Sequence, residues 1–261
     1  MVVRAGPLVE LAVEKKGFMS RFYVKPEDVT GDEILVSREE AHHIIDVMRL
    51  SSGDEIVAFD GTGKEYIGRI LNASRGCVKI KIEKINEVKP QDKISITLAQ
   101  ALPKKTKMDF IIEKATELGV DKIIPLATER TIVRLRGEKG PQKNQRWQNV
   151  AISASKQCGR PDIPKINPAA KFNDILKEVK HYDLAMMACL NDEAKPLREV
   201  ISGFNGKKIL VMVGPEGDFT PREINSAKIA GVKLISLGRL VLRVETAGLF
   251  ILSVLSAFAN E

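Results

Sequence analysis

The sequence predicts an α/β protein in two parts: a small β-rich domain, then a larger α/β domain with a mainly parallel sheet. Three observations lead there. Residues 208–246 read as strand, glycine-rich loop, helix, strand and second glycine loop, leading into a last apolar helix. Before residue 88, short apolar runs and strict apolar/charged alternation dominate; after residue 93, strand-like runs alternate with helical stripes. Between them Glu87-Val88-Lys89-Pro90-Gln91-Asp92-Lys93 is polar and contains a proline, as a linker does. The expected divisions are an N-terminal extension over 1–18, a β domain over 19–88 and an α/β domain over 93–261.

Residues 1–18 carry Glu10 and Glu14 and lack a clean apolar core, which argues against a signal or transit peptide. Met19-Ser20-Arg21-Phe22-Tyr23-Val24 reads as a natural start. In the β domain, residues 21–24 and 33–36 are short strands, and 38–50 is helical with Ala41, Ile44, Ile45 and Met48 on one face. Two further strands, 55–59 and 65–71, flank the hairpin loop Asp60-Gly61-Thr62-Gly63. Residues 77–85 alternate, with Val78, Ile80 and Ile82 inward and Lys79, Lys81 and Glu83 outward. So many short strands in so few residues predict a small barrel.

In the α/β domain, 94–99 is a strand, and 104–118 a helix with the stripe Met108, Ile111, Ile112, Ala115, Leu118 and the stop Gly119. A strand over 122–126, helices over 143–158 and 172–179, and a strand over 183–188 follow. Ile209 to Val213 is an apolar, β-branched run suited to a buried parallel strand. After Gly214-Pro215-Glu216-Gly217, the next helix has Thr220 as N-cap, Pro221 at its first position and Glu223 to close a capping box. Gly231 ends it, 232–237 is the next strand, and Gly238 opens the second loop. Glycine loops at the carboxyl ends of neighbouring parallel strands are where open α/β sheets place a ligand.

The 261 residues are 44% hydrophobic and 29% charged, and no apolar run reaches the length of a membrane span. The longest charge-free stretch, 246–260, is a buried helix instead. The net charge of +7 is local: Arg130, Arg134, Arg136, Lys139, Lys143, Arg146, Lys156 and Arg160 face only Glu138 within their segment. Such a patch fits a polyanion such as nucleic acid, or is a solvated basic face. Cys77, Cys158 and Cys189 are too far apart for a metal motif and fit free thiols in a reducing cytoplasm.

Other motifs carry little. His42-His43 is not a metal pair, because adjacent helical positions point about 100° apart. Ser153-Ala154-Ser155-Lys156 matches SxxK without its partner motifs, so a basic helix accounts for it. The loop at 214–217 lacks the GK[ST] of a P-loop, and reads as a phosphate-type turn or a plain tight one. Arg243 and Glu245 form either a local ion pair capped by Thr246 or part of a site.

Taken in order, these residues resemble one family. Gly214-Pro215-Glu216-Gly217, Leu237-Gly238 and Leu242-Arg243-Val244-Glu245-Thr246-Ala247 are similar to the RsmE family of ribosomal RNA uridine-N3 methyltransferases. So are Glu113-Lys114-Ala115-Thr116-Glu117-Leu118-Gly119, Ile124-Pro125-Leu126, Glu129-Arg130, Arg146-Trp147, Gln157-Cys158-Gly159-Arg160, Glu40-Ala41-His42-His43, and Gly53-Asp54 with Phe59-Asp60-Gly61. The likeness spans about residues 20–261. The chain departs from it at Asp218, where the family often has Gly, at Leu240, where it usually has Arg, and at Val244 and Cys158.

The resemblance implies a PUA-like β-barrel that binds RNA, ahead of a SPOUT α/β domain with a deep trefoil knot. It implies S-adenosylmethionine as cofactor, a homodimer, and small-subunit ribosomal RNA or the assembled small subunit as partner, with no membrane and no metal. The implied catalytic residues are Arg243 and Glu245. The cofactor set is Leu190, Gly214, Pro215, Glu216, Gly217, Leu237, Gly238, Leu242 and Arg243, and the RNA set is Arg21, Arg49, Arg130, Arg134, Arg136 and Arg160.

Overall fold

The computed structural model describes residues 20–74, 76–87, 94–104, 107–132 and 139–259, with backbone alone at 38 and 139. The extension expected over 1–18, the linker beyond Glu87, and Arg134 and Arg136 lie outside the described residues. The rest forms two compact units.

The first unit holds residues 20–87 together with Gly159–Asp162. Its elements are β1 (Arg21–Tyr23), β2 (Val29–Thr30), β3 (Glu33–Ser37), α1 (Arg38–His42), β4 (Glu55–Phe59), β5 (Lys64–Ser74) and β6 (Cys77–Glu87). They make a sheet in the order β1-β4-β5-β6-β3-β2, parallel only between β1 and β4. The alternation read in β6 is realised: Val78, Ile80 and Ile82 are buried beside Phe22, Ile34, Ile44, Ile56 and Ile70. The hairpin at 60–63 is held by Asp60, whose carboxylate accepts from the Thr62 amide at 2.9 Å, its hydroxyl at 2.7 Å and the Tyr66 hydroxyl at 2.9 Å.

The helix expected over 38–50 differs from its pattern. It is α-helical only through His42, then widens into a π turn over His43–Val47. The wider turn shifts the stripe, so Ala41 and Ile44 stay buried while Met48 is exposed.

The second unit holds the described residues of 94–158 and 163–259. Its first half runs β7 (Ser95–Ala101), α2 (Lys107–Glu117), β8 (Lys122–Ala127), α3 (Lys139–Cys158), β9 (Lys165–Ile166), β10 (Ala170–Lys171) and α4 (Phe172–Glu178). Its second half runs β11 (Leu184–Ala188), β12 (Lys195–Pro196), α5 (Leu197–Ile201), β13 (Lys208–Val213), α6 (Pro221–Ile229), β14 (Lys233–Ser236) and α7 (Val244–Ala259). The sheet order is β10-β8-β7-β13-β11-β14-β12, with β9 beside β8, and every ladder is parallel.

Helices cover both faces. Ile209, Val211 and Val213 of β13 point toward α2, α3, α5 and α7, while Leu210 and Met212 point toward α4 and α6. That is why the run is apolar at every position: a central parallel strand has no wet face. Each such side chain contributes about 1.5–3 kcal/mol by burial.

Two helix starts move. α3 begins at Lys139, not 143, because Pro141 falls in the first turn, where its missing N–H costs nothing. α7 begins at Val244, so Thr246 lies inside the first turn and does not cap it. The box on α6 forms as read: the Glu223 amide donates to Thr220 Oγ1 at 3.2 Å, and the Thr220 amide to Glu223 Oε2 at 2.9 Å. Glu223 also accepts the Glu129 amide at 2.9 Å, a long-range tie the local pattern gave no sign of.

Candidate active site

The carboxyl ends of β11, β13 and β14 and the start of α7 enclose a cavity of about 390 Å³. This is within the range of pockets that hold cofactor-sized ligands. Val213 and Ile235 are the last inward residues of their strands, and the loops Gly214–Asp218 and Leu237–Val244 wrap the space between them. Gly238 makes this wrapping possible with φ +116°, a conformation that L side chains rarely adopt.

Of the residues expected at a cofactor site, Leu190, Gly214, Pro215, Glu216, Leu237, Gly238, Leu242 and Arg243 line this cavity. Gly217 does not. Its carbonyl accepts from the Arg130 guanidinium, so the turn presents it to that side chain instead. Glu216 is oriented by the Lys104 amide, which donates to its Oε1 at 3.1 Å.

Glu245 sits on the first turn of α7, but its carboxylate does not turn to Arg243. Lys107 Nζ, at the start of α2, donates to its Oε1 at 2.9 Å and its Oε2 at 3.1 Å. Burial alone would raise the Glu245 carboxyl. The Lys107 hydrogen bond, its own backbone amide and the charges of Lys107 and Arg243 outweigh burial and hold it below the usual carboxylate range. It is therefore ionised and engaged. Arg243 is exposed, lines the cavity and makes no ion pair among the described residues.

The sequence reading missed Lys107, Cys189, Asp218 and Ser236 in this wall. Ser236 had a signal, since it lies near the end of the strand read over 232–237, just before a glycine loop. Lys107 had none: it meets Glu245 across 138 positions of chain. Cys189 is buried, which together with the Asp218 charge pushes its thiol up to about 12 and keeps it protonated.

The arginines expected on RNA divide. Arg49 is exposed with φ +56°. Arg130 is exposed and, among the described residues, donates to the Gly217 carbonyl. Arg21 and Arg160 are mostly covered. Arg21 pairs with Glu65 and lies 5.2 Å over the Phe59 ring, and Arg160 pairs with Asp162. Both charges thus have an acidic partner inside the first unit.

Residues 90–256 match the model of an RNA methyltransferase domain, and residues 36–83 that of an RNA methyltransferase PUA domain. A curated relative, the ribosomal RNA small subunit methyltransferase E of Bacillus subtilis, is 30% identical over 247 residues, covering 91% of this chain and 96% of that one.

The chain belongs to the RsmE family.

Another RsmE relative, from Rickettsia conorii, is 31% identical over 88% of this chain and 92% of its own. Among solved structures, a methyltransferase from Legionella pneumophila in complex with bound S-adenosylmethionine is 32% identical, with a TM-score of 0.82, covering 92% of this chain and 98% of that one. The RsmE of Neisseria gonorrhoeae, also bound to S-adenosylmethionine, is 29% identical with a TM-score of 0.79 and the same coverage. The expected fold class thus holds: a PUA-like unit followed by an α/β methyltransferase domain of RsmE type. No helix among the described residues is long and apolar enough to cross a membrane.

Proposed function

We propose that the protein transfers a methyl group from S-adenosylmethionine to N3 of a uridine in small-subunit ribosomal RNA. The observation that carries this is the cavity at the strand ends, walled by both glycine loops and by Arg243. Its residues suit the donor. Leu237, Leu242, Ile235 and Val213 offer apolar walls for a nucleoside, the backbone at Gly214 and Gly238 allows close approach, and Glu216 favours a cationic ligand.

When bound, the donor supplies an activated methyl group on a cationic sulfonium. What remains for the protein is to hold uracil N3 in line and to stabilise the anion formed as N3 loses its proton. Arg243 is the group for that charge, since it reaches the cavity uncommitted. Glu245 acts through Lys107: the pair fixes the ammonium at the cavity wall and joins the starts of α2 and α7. A carboxylate held below its usual range is a poor proton acceptor, so the proton leaves to water.

The same reading extends to the remaining expectations. The knot is assigned to the C-terminal segment. In support, β13 enters between β7 and β11, β14 lies beyond β11, and α7 then returns to pack with α2 against β7 and β13. A homodimer is supported by exposed Phe110 on α2 and Phe250 on α7, with Leu240 and Val241 bare on the second loop. We assign RNA contact to Arg49 and Arg130, which are exposed, and the setting to the cytoplasm. Methyl-labelled donor incubated with small ribosomal subunits lacking the modification should transfer label to their RNA. Intact donor binding with no transfer to any ribosomal RNA would overturn the proposal.

A further inference from the structure

We infer that Asp218 is a positioning residue for donor binding, a latch that fixes the Cys189–Leu190 wall of the cavity to the glycine loop; this rests on the donor pocket proposed above. Asp218 stands at φ +59°, in the left-handed region, where a residue other than glycine is uncommon and carries strain. Its carboxylate offsets that strain with two backbone hydrogen bonds. Oδ1 accepts the amide of Phe219 at 2.8 Å, and Oδ2 accepts the amide of Leu190 at 2.8 Å.

The second bond is the informative one. Leu190 follows β11, and Asp218 follows β13, so the bond spans two separate loops at the mouth of one cavity. Leu190 is 68% exposed, while Cys189 before it is buried and its amide donates to the Ile235 carbonyl at 3.3 Å. The Asp218 end is anchored on both sides. Its own amide donates to Pro215 at 2.9 Å, and neighbouring Phe219 is buried with its ring 5.6 Å from that of Phe172. A rigid turn therefore holds the exposed Leu190, at the end of that wall, through one carboxylate oxygen. Pre-forming a wall in this way spares the ligand the cost of ordering it.

The test uses the full-length protein with Asp218→Gly and Asp218→Asn. Glycine removes both the strain and the latch; asparagine tolerates the same backbone and keeps an acceptor oxygen. In the free protein, hydrogen exchange at the Leu190 amide should speed up in Asp218→Gly and stay near wild type in Asp218→Asn. Calorimetric titration with S-adenosylmethionine should show about tenfold weaker binding for Asp218→Gly, equivalent to about 1.4 kcal/mol, and recovery to within about threefold for Asp218→Asn. Unchanged Leu190 exchange, unchanged affinity, or a fall in kcat with affinity intact would each overturn the latch. Failure of the wild-type protein to bind the donor would instead strike the pocket assignment, because the exchange measurement needs no ligand.

Discussion

Glu245→Gln separates two roles that the sequence left open. The change keeps the shape and removes the charge that Lys107 Nζ holds at 2.9 and 3.1 Å. A hydrogen bond between charged groups is worth roughly 1.5–3 kcal/mol in protected settings and an exposed ion pair about 0.2–1 kcal/mol. The Glu245 side chain is 15% exposed and that of Lys107 35%, so screening trims the upper figure to about 1–2 kcal/mol. For a domain of this size that is a fall in Tm of about 2–8 °C. The sign with pH follows from the depressed carboxyl. Its contribution is complete above the unfolded value of about 4.3 and is lost as pH drops through the folded value. The two melting curves should therefore differ at pH 7 and converge well below pH 4. Methyl transfer should fall by less than tenfold with the shape of its pH profile kept, whereas loss of a general base costs about 10²–10⁴. A variant with unchanged Tm, a thousandfold lower kcat and a lost acidic limb would refute the structural role and make Glu245 the base.

Arg243→Ala should reduce kcat by at least about 10², as loss of one group that stabilises a developing anion does, with donor affinity within about threefold; kinetics beside calorimetry checks this, and equal loss of both makes Arg243 a cofactor contact. Glu223→Ala leaves the Thr220 cap but removes the reciprocal half of the capping box, stripping the Glu129 and Thr220 amides of their acceptor, which should lower stability by about 2–4 kcal/mol in denaturant titration, with a smaller loss for Gln. Gly68→Ala tests the first unit: a Cβ there would lie 2.4 Å from the Lys81 carbonyl oxygen and 2.9 Å from Ile80 Cγ2. Because β5 must shift to admit it, thermal unfolding should show a loss of about 1–3 kcal/mol.

What the sequence made legible follows from the range of each signal. β13 was readable because a strand buried on both faces must be apolar throughout, and the α6 cap because its partners are three residues apart. The second glycine loop announced the cavity because Gly238 takes a φ of +116° that L side chains rarely adopt. The short strands β2, β9, β10 and β12 have two residues each, too few to show a period. The Lys107–Glu245 and Glu223–Glu129 ties were hidden because they form only when distant segments meet. Arg21 looked like a surface charge because nothing in its neighbourhood names Glu65 or the Phe59 ring as partners, whereas the partner of Arg160, Asp162, stands only two residues on.

The central claim is methylation at uridine N3, and primer extension tests it most directly. Small subunits lacking the modification would be incubated with the protein and donor, and their RNA copied by reverse transcriptase. A methyl group on N3 blocks base pairing, so a single new stop opposite one uridine is the predicted result. Label incorporated with no new stop would contradict the claim and assign the methyl group to another atom.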